Sequence, residues 1–500
     1  MTHLMRTVTG TLVLFMGLLV VGCASPSDDD LYRAWRDHDP EQWQLADGGA
    51  THSRSTLRSR LSATEDESKP ADTTDILDGV DGYVRLALER NPAIHAAQRL
   101  VERLGARVPQ VTSLDDPMFQ IAPFGEMAET AAGQVGLMTG VSQKLPFPGK
   151  LDTRGRIAEQ DAAMALADLQ QTRLTVVSDT RRAYWSFYFT THALHTMRKS
   201  RSLLIDLKQI AESEYKAGKR SQTDVLRASV ELSNLDKELI VLEQRQATAR
   251  SMLNQLLDRP VNSALPEPKS AQADTIDADL EELLADAARH NPSIAKAHER
   301  IEQFRQHQKL ARLNRWPDLT VSATYNAVED QGIAMSANGK DQWWFGFGVN
   351  LPIWTKKYEA AEREALQGML EGVAQLTAEQ NRVAFQVQDA YLRVEAQQKL
   401  VELFKDVIIP KARQTVDASS SGYQVGSVDF LTLVDNWREL LNFELMYHRA
   451  LADMEQAVAD LERAVGRSVN RSGLPNSEDR PMSNPTTESA QPRAEDTPHE

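Results

Sequence analysis

The chain is 500 residues long, carries a formal net charge of −15 and has an aromatic content of 6%. Its charge argues against nucleic acid as a partner, because such binding depends on clustered Lys and Arg that release counterions from phosphates. The single cysteine, Cys23, excludes an internal disulfide and any metal site built from several thiolates.

Residues 1–22 are predicted to be a signal peptide. Arg6 precedes an apolar run over residues 12–21 that is shorter than the roughly 20 residues needed to span a bilayer. The run ends in the sequence VVGC at Cys23, which resembles a lipobox, so we expect cleavage before Cys23 and acylation of its thiol. The alternative is an ordinary signal peptide with an incidental cysteine. Ala24 is not the aspartate that retains many lipoproteins in the inner membrane, which favours the outer membrane.

Residues 75–467 contain the same pattern twice, with a period of about 200 residues, far longer than a solenoid repeat. Four marks recur in the same order: Asn91-Pro92 and Asn291-Pro292, Leu145-Pro146 and Leu351-Pro352, Ala183-Tyr184 and Ala390-Tyr391, Tyr215-x-x-Gly218 and Tyr423-x-x-Gly426. We predict two structural repeats, 75–264 and 265–467, each with a helix, two strands, a long helix and a shorter helix. A polar lead segment, residues 23–74, precedes the two repeats. They are followed by a tail, residues 468–500, which is expected to be disordered.

The strands are indicated by alternation of apolar residues with small or polar ones. The pattern is clear over residues 319–327 and 343–351, and weaker over 119–124 and 135–142. The aromatic face of the 343–351 strand favours a membrane girdle. A soluble hairpin packed on the helices is the alternative.

The helices dominate the predicted fold, which is mostly α with a small β part. Helix-forming stretches run from Pro148 to about Glu214 and from about Thr355 to Ser421. At 1.5 Å per residue each would be roughly 100 Å long. Helices so long and polar must bury their apolar stripes against neighbours, as in a coiled coil.

The motifs taken together resemble the TolC-like outer-membrane efflux protein family, particularly its lipoprotein members that serve metal and drug pumps. The resemblance covers about residues 75–467 and depends on Cys23, both Asn-Pro pairs, Asp116-Pro117-Met118, the segment QKLPFPGK at 143–150 and the two Tyr-x-x-Gly turns. It implies a duplicated protomer that gives four β-strands to a trimeric 12-stranded outer-membrane barrel, continued through the periplasm by an α-barrel of coiled helices. Four strands alone cannot close a membrane barrel, for which eight is the usual lower limit.

The same resemblance places candidate functional residues at the periplasmic tip, where both Tyr-x-x-Gly turns meet. Gly218 and Gly426 would form the tip turns against which an adaptor docks. Thr223, Asp224 and Tyr423 would form a latch that hydrogen-bonds between neighbouring helices and keeps the tip closed. In the alternative, Tyr423 is a packing residue and Asp224 is a helix-start acid favoured by the helix dipole.

Charge selectivity is expected at Asp435, which would form an acidic ring in the trimer and attract cations. The chain departs from the family at two nearby positions. Val428 replaces an arginine, so one charged fastening of the latch is missing, and Thr432 stands at the companion position of the ring.

The predicted function is a passive exit duct in the outer membrane, extending into the periplasm and anchored in outer-membrane lipid. Its expected partners are two more copies of itself in a homotrimer, a periplasmic adaptor and an inner-membrane pump. The alternatives are a coiled-coil adaptor lipoprotein without a pore, and an exit duct for type I protein secretion. The sequence lacks common catalytic motifs, so we predict no enzyme activity, catalytic residue, cofactor or metal site. Metal cations and drugs both stay open as substrates.

Overall fold

A computed structural model describes residues 79–125, 129–269, 275–276, 279–330, 332–333, 335–469 and 471–472. The predicted signal peptide, Cys23, the lead segment and nearly all of the predicted tail therefore lie outside the described residues.

Ten α-helices account for most of the described chain. The first half contains α1 Gly79–Arg90, α2 Pro92–Gly105, α3 Arg107–Thr112, α4 Lys150–Lys216 and α5 Gln222–Leu256. The second half contains α6 Leu280–His290, α7 Pro292–Leu313, α8 Thr355–Leu403, α9 Ile409–Val425 and α10 Phe430–Val465. Among these described helices, each is too short or too polar to qualify as a membrane span.

One antiparallel sheet joins the two halves. Its strands are β1 Met118–Pro123, β2 Glu129–Thr130, β3 Gly133–Leu145, β5 Leu319–Val328 and β6 Gln342–Val349. The order is β1-β3-β5-β6, with the short β2 pairing only with β3. The halves meet at β3 and β5, where Gly140 pairs with Thr324.

A second, two-stranded sheet pairs β4 Thr275–Ile276 with β7 Arg471–Ser472. The strand β7 lies inside the 468–500 segment that was expected to be disordered. Backbone groups of β4 supply its hydrogen-bond partners, which no local pattern in the tail indicates.

The two Asn-Pro pairs have equivalent structural roles, which explains why they recur. Asn91 Oδ1 accepts a hydrogen bond from the Ala93 amide at 2.9 Å, and Asn291 Oδ1 accepts one from the Ser293 amide at 2.9 Å. Each proline then occupies the start of its helix, where its missing N–H costs nothing. The Asn91 Nδ2 donates to the Leu256 carbonyl and the Asn291 Nδ2 to the Ala464 carbonyl. Each asparagine therefore caps its own helix and ties it to the end of its half's last long helix.

The two long helices differ in continuity. The first, α4, runs unbroken for 67 residues. The second was expected to be equally continuous but is divided by a π-helical segment, Phe404–Ile408, between α8 and α9. The Ile409 amide donates to the carbonyl of Phe404, five residues earlier. Pro410 follows at the start of α9 and lacks the amide that an unbroken α-helix needs, which accounts for the altered ladder here.

The core is a series of apolar clusters along the helices. The largest contains the aromatic side chains Tyr83, Tyr184, Trp185, Phe187 and Tyr188, packed between α1, α4 and the middle of α10. Another contains Trp437 and Leu441 with residues of α4 and α5. A small cluster closes the end at which both glycine turns lie.

A buried ion pair lies where the sheet meets α4. Lys150 Nζ donates to Asp318 Oδ1 at 2.6 Å and to the Trp316 carbonyl at 2.9 Å. The Phe147 amide also donates to Asp318 Oδ1, at 3.0 Å, and the Phe147 ring stacks on Trp316 with centroids 5.3 Å apart. The QKLPFPGK segment of the first half is thereby joined to the chain just before β5.

Candidate gate at the helical tip

Two glycine turns form the tip. Gly218 follows α4 with a φ of 72°, and Gly426 follows α9 with a φ of 85°, a conformation that favours glycine. The helices that leave these turns are both capped by side chains. Ser221 Oγ accepts a hydrogen bond from the Thr223 amide at 3.1 Å, and Asp429 Oδ1 accepts one from the Thr432 amide at 2.8 Å.

Tyr423 lies at the centre of the tip and is only 2% exposed. Its ring packs on Phe430 with centroids 5.5 Å apart, in a cluster with Ala211, Ala228 and Leu433. Since Ala211 belongs to α4 and Ala228 to α5, this cluster brings the first turn's helices against those of the second. Burial, and then the negative charge of Asp224, raise the pKa of the Tyr423 phenol. None of the described residues bonds to its hydroxyl.

Thr223 and Asp224 lie in the first turn of α5, at the same tip as Tyr423. Thr223 is exposed, and its Oγ1 accepts a hydrogen bond from Ser221 Oγ at 3.0 Å. Asp224 is half-buried and close enough to influence the Tyr423 phenol. The structure thus brings all three candidate latch residues together at one tip.

Asp435 is exposed on α10 and belongs to a charged cluster that the sequence did not reveal. Arg438 Nη1 donates to Asp435 Oδ1 at 3.0 Å, while its Nε and Nη2 donate to the two Glu231 oxygens at 3.0 and 2.9 Å. The hydrogen bond from Arg438 is the main cause that lowers the pKa of Glu231. The spacing of three residues between Asp435 and Arg438 could have indicated their contact, whereas nothing local points to Glu231 on α5.

Arg220 is a second residue that sequence reasoning missed. It lies in the first tip turn, between Gly218 and the cap of α5, and its side chain reaches the second turn. Its Nη2 donates to the Tyr423 carbonyl at 2.9 Å, and its guanidinium carbon lies 4.8 Å from the centroid of the Tyr423 ring.

Residues 83–259 and 283–467 match the family described as outer membrane efflux protein. The chain belongs to the outer membrane efflux protein family. The two matched ranges fall within the segments 75–264 and 265–467, and the membership confirms the resemblance drawn from the motifs. It also confirms the outer membrane as the location and efflux transport as the role.

Relatives of this efflux protein are distant but match most of its length. The cobalt-zinc-cadmium resistance protein CzcC of Cupriavidus metallidurans is 24% identical over 398 residues, which cover 78% of this chain and 90% of that protein. The toluene efflux pump outer membrane protein TtgI of Pseudomonas putida is 21% identical over 480 residues, 91% of this chain and 97% of that protein. A solved structure of CusC superposes with a TM-score of 0.67 at 16% identity, over 80% of this chain and 95% of that one. This likeness confirms the predicted fold class.

Proposed function

We propose that this efflux protein is the exit duct of a tripartite system. It forms a homotrimer that passively conducts small substrates delivered by an inner-membrane pump and a periplasmic adaptor. The family match over both halves carries the proposal. Residues 75–264 and 265–467 are its two repeats, and acylated Cys23 anchors it in the outer-membrane lipid.

The open sheet supports a barrel shared by three chains. In the order β1-β3-β5-β6, the strands β1 and β6 each have a free edge within the described chain. Both have exposed apolar side chains, namely Met118, Phe119, Trp343, Phe345 and Phe347. A long apolar edge in water invites pairing with another chain. Three copies of this four-stranded path supply about twelve strands, above the minimum of eight for a membrane barrel.

Metal cations are the substrate class that we favour, because the matched CzcC is named for cobalt, zinc and cadmium resistance. The toluene pump relative makes small organic molecules the second candidate. A wide duct needs no specific ligands, so the assignment depends on the pump that feeds it.

Two experiments test the duct. Purified full-length protein in planar bilayers should form cation-conducting pores, and a coiled-coil lipoprotein without a pore would leave the bilayer silent. A strain deleted for the gene should then lose tolerance to cobalt, zinc and cadmium and regain it on complementation. Loss of toluene tolerance alone would move the substrate to organic molecules, and unchanged tolerance with a secreted polypeptide retained would favour protein secretion.

In the proposed duct, Thr223, Asp224 and Tyr423 form the latch that keeps the tip closed. The turns at Gly218 and Gly426 form the surface on which the adaptor docks. Asp224 lies close enough to raise the pKa of the Tyr423 phenol, which supports a shared role for these two residues. Among the described residues, the buried Tyr423 hydroxyl has no hydrogen-bond partner. Asp224→Ala combined with Tyr423→Phe should raise resting conductance in planar bilayers. The matched control is Tyr215→Phe, the equivalent tyrosine of the first turn, which is 44% exposed. Equal conductance of the double variant and wild type would remove these residues from the latch.

A further inference from the structure

We propose that Arg220 is a gate-positioning residue that clamps the second tip turn to the first within one protomer. The inference rests on the proposed exit duct. It adds to the latch a residue that acts by holding Tyr423 in place.

Two different contacts join Arg220 to Tyr423. The hydrogen bond from its Nη2 to the Tyr423 carbonyl fixes the backbone of the second turn, and the guanidinium above the aromatic ring fixes the side chain. The two residues are 203 positions apart in sequence, so this side chain crosses between the halves. Arg220 is half-buried, which reduces the screening of its charge by solvent.

The carbonyl that Arg220 binds lies at the end of α9. It also accepts the Gly426 amide at 3.2 Å, in the turn that closes the helix. The last carbonyls of a helix lack partners within the helix and carry its negative dipole end, so a cation there is favourable. Arg220 therefore acts as a C-terminal cap of α9, supplied by the other half of the chain.

No other described side chain offers the second turn the same pair of contacts. Val428 packs on Gly422, where an added Cβ would lie 2.6 Å from the valine Cγ2. This position is therefore an apolar contact and provides no cation. Arg227, on α5, contributes to the charge near Asp429, as Arg220 does. Within the described part of the chain, the hydrogen bond to the Tyr423 carbonyl and the ring contact come from Arg220 and not from Arg227.

This comparison provides a matched pair of variants. Arg220→Gln and Arg227→Gln each remove one positive charge near the tip, but only Arg220→Gln removes the contacts with Tyr423. In planar bilayers containing full-length protein, Arg220→Gln should raise the resting open probability by about tenfold, the effect expected for one charged hydrogen bond. Arg227→Gln should change it less than about twofold. Arg220→Lys keeps the charge without the planar fork and should restore closure only in part.

A distance measurement separates positioning from pore formation. Spin labels at Lys219→Cys and Gln424→Cys, both exposed, would report the separation of the two turns, with one labelled chain per trimer. The distance distribution should broaden in Arg220→Gln and stay narrow in Arg227→Gln. If wild type forms no pore, the exit duct is refuted, but the distance measurement still tests the clamp.

The clamp is overturned if wild type conducts and the Arg220→Gln variant has the same resting open probability. It is also overturned if Arg220→Gln leaves the distance distribution between the two labels unchanged. It is overturned equally if both glutamine variants open the pore to the same degree, because general tip charge would then be the cause. If Arg220→Gln fails to assemble, the same comparisons are made with Arg220→Lys.

Discussion

Replacing Lys150 by methionine should open the junction between the sheet and α4. The side chains of Lys150 and Asp318 are 4% and 11% exposed, and the ammonium makes two short hydrogen bonds. Removing one partner of a buried ion pair costs about 3 to 5 kcal/mol, because the other charge is left uncompensated. Lys144 Nζ remains 3.4 Å from Asp318 Oδ2, so we expect the lower end, about 3 kcal/mol. That corresponds to roughly a hundredfold change in the local opening constant.

Hydrogen exchange of purified protein measures this opening directly. The Phe147 amide, which donates to Asp318, and the Lys150 amide, which donates to the Phe147 carbonyl at 3.1 Å, report on the junction. Their exchange should be about a hundredfold faster in Lys150→Met. The control is Lys309→Met, since the Lys309 side chain is half exposed and its Nζ lies 4.0 Å from Asp152 Oδ2. It should change exchange less than about twofold.

A double variant tests the electrostatic cause. If the cost arises from an unpaired carboxylate, adding Asp318→Asn to Lys150→Met should recover most of the protection at Phe147. Exchange at the junction that stays at the wild-type rate in Lys150→Met would refute the reasoning. So would a double variant that opens more than the single one.

Three further predictions concern other parts of the chain. Cys23→Ser should leave an uncleaved or mislocalised precursor, and mass spectrometry that finds an unmodified Cys23 on the mature wild-type chain would contradict the lipid anchor. Asp435→Asn should lower cation selectivity without opening the pore, whereas Arg438→Gln should raise cation selectivity because it leaves the Asp435 and Glu231 carboxylates without their cation. Reversal potentials in a salt gradient measure the selectivity of each variant. Unchanged reversal potentials would remove this cluster from the conduction path. Burial, and then repulsion from His192, lower the pKa of His448 to about 4, so the unfolded chain binds more protons than the folded one below about pH 6.5. Stability should therefore fall as pH drops from about 6.5 towards 4, and hydrogen exchange near His448 should become faster. If a His448→Phe variant keeps the same pH dependence of exchange, a group other than His448 causes it.

The sequence by itself predicted α4 and the longer strands of the main sheet, but not the π-helical segment Phe404–Ile408 or β7. Alternation located β5 and β6, and the helix-forming run from Pro148 predicted α4, which begins at Lys150 and ends at Lys216. These features depend on backbone propensity and on periodicity within one segment, so they are readable locally. The recurring Asn-Pro pairs belong to the same class, because a cap involves residues two positions apart.

Only the tertiary structure decided which distant side chains meet. The pairs Lys150 with Asp318, Arg220 with Tyr423 and Arg438 with Glu231 each join residues more than 160 positions apart. The pairing of β3 with β5 is equally non-local. Such contacts depend on the angle and register at which two elements pack. Those are properties of the assembled core, and no single segment of the chain contains them.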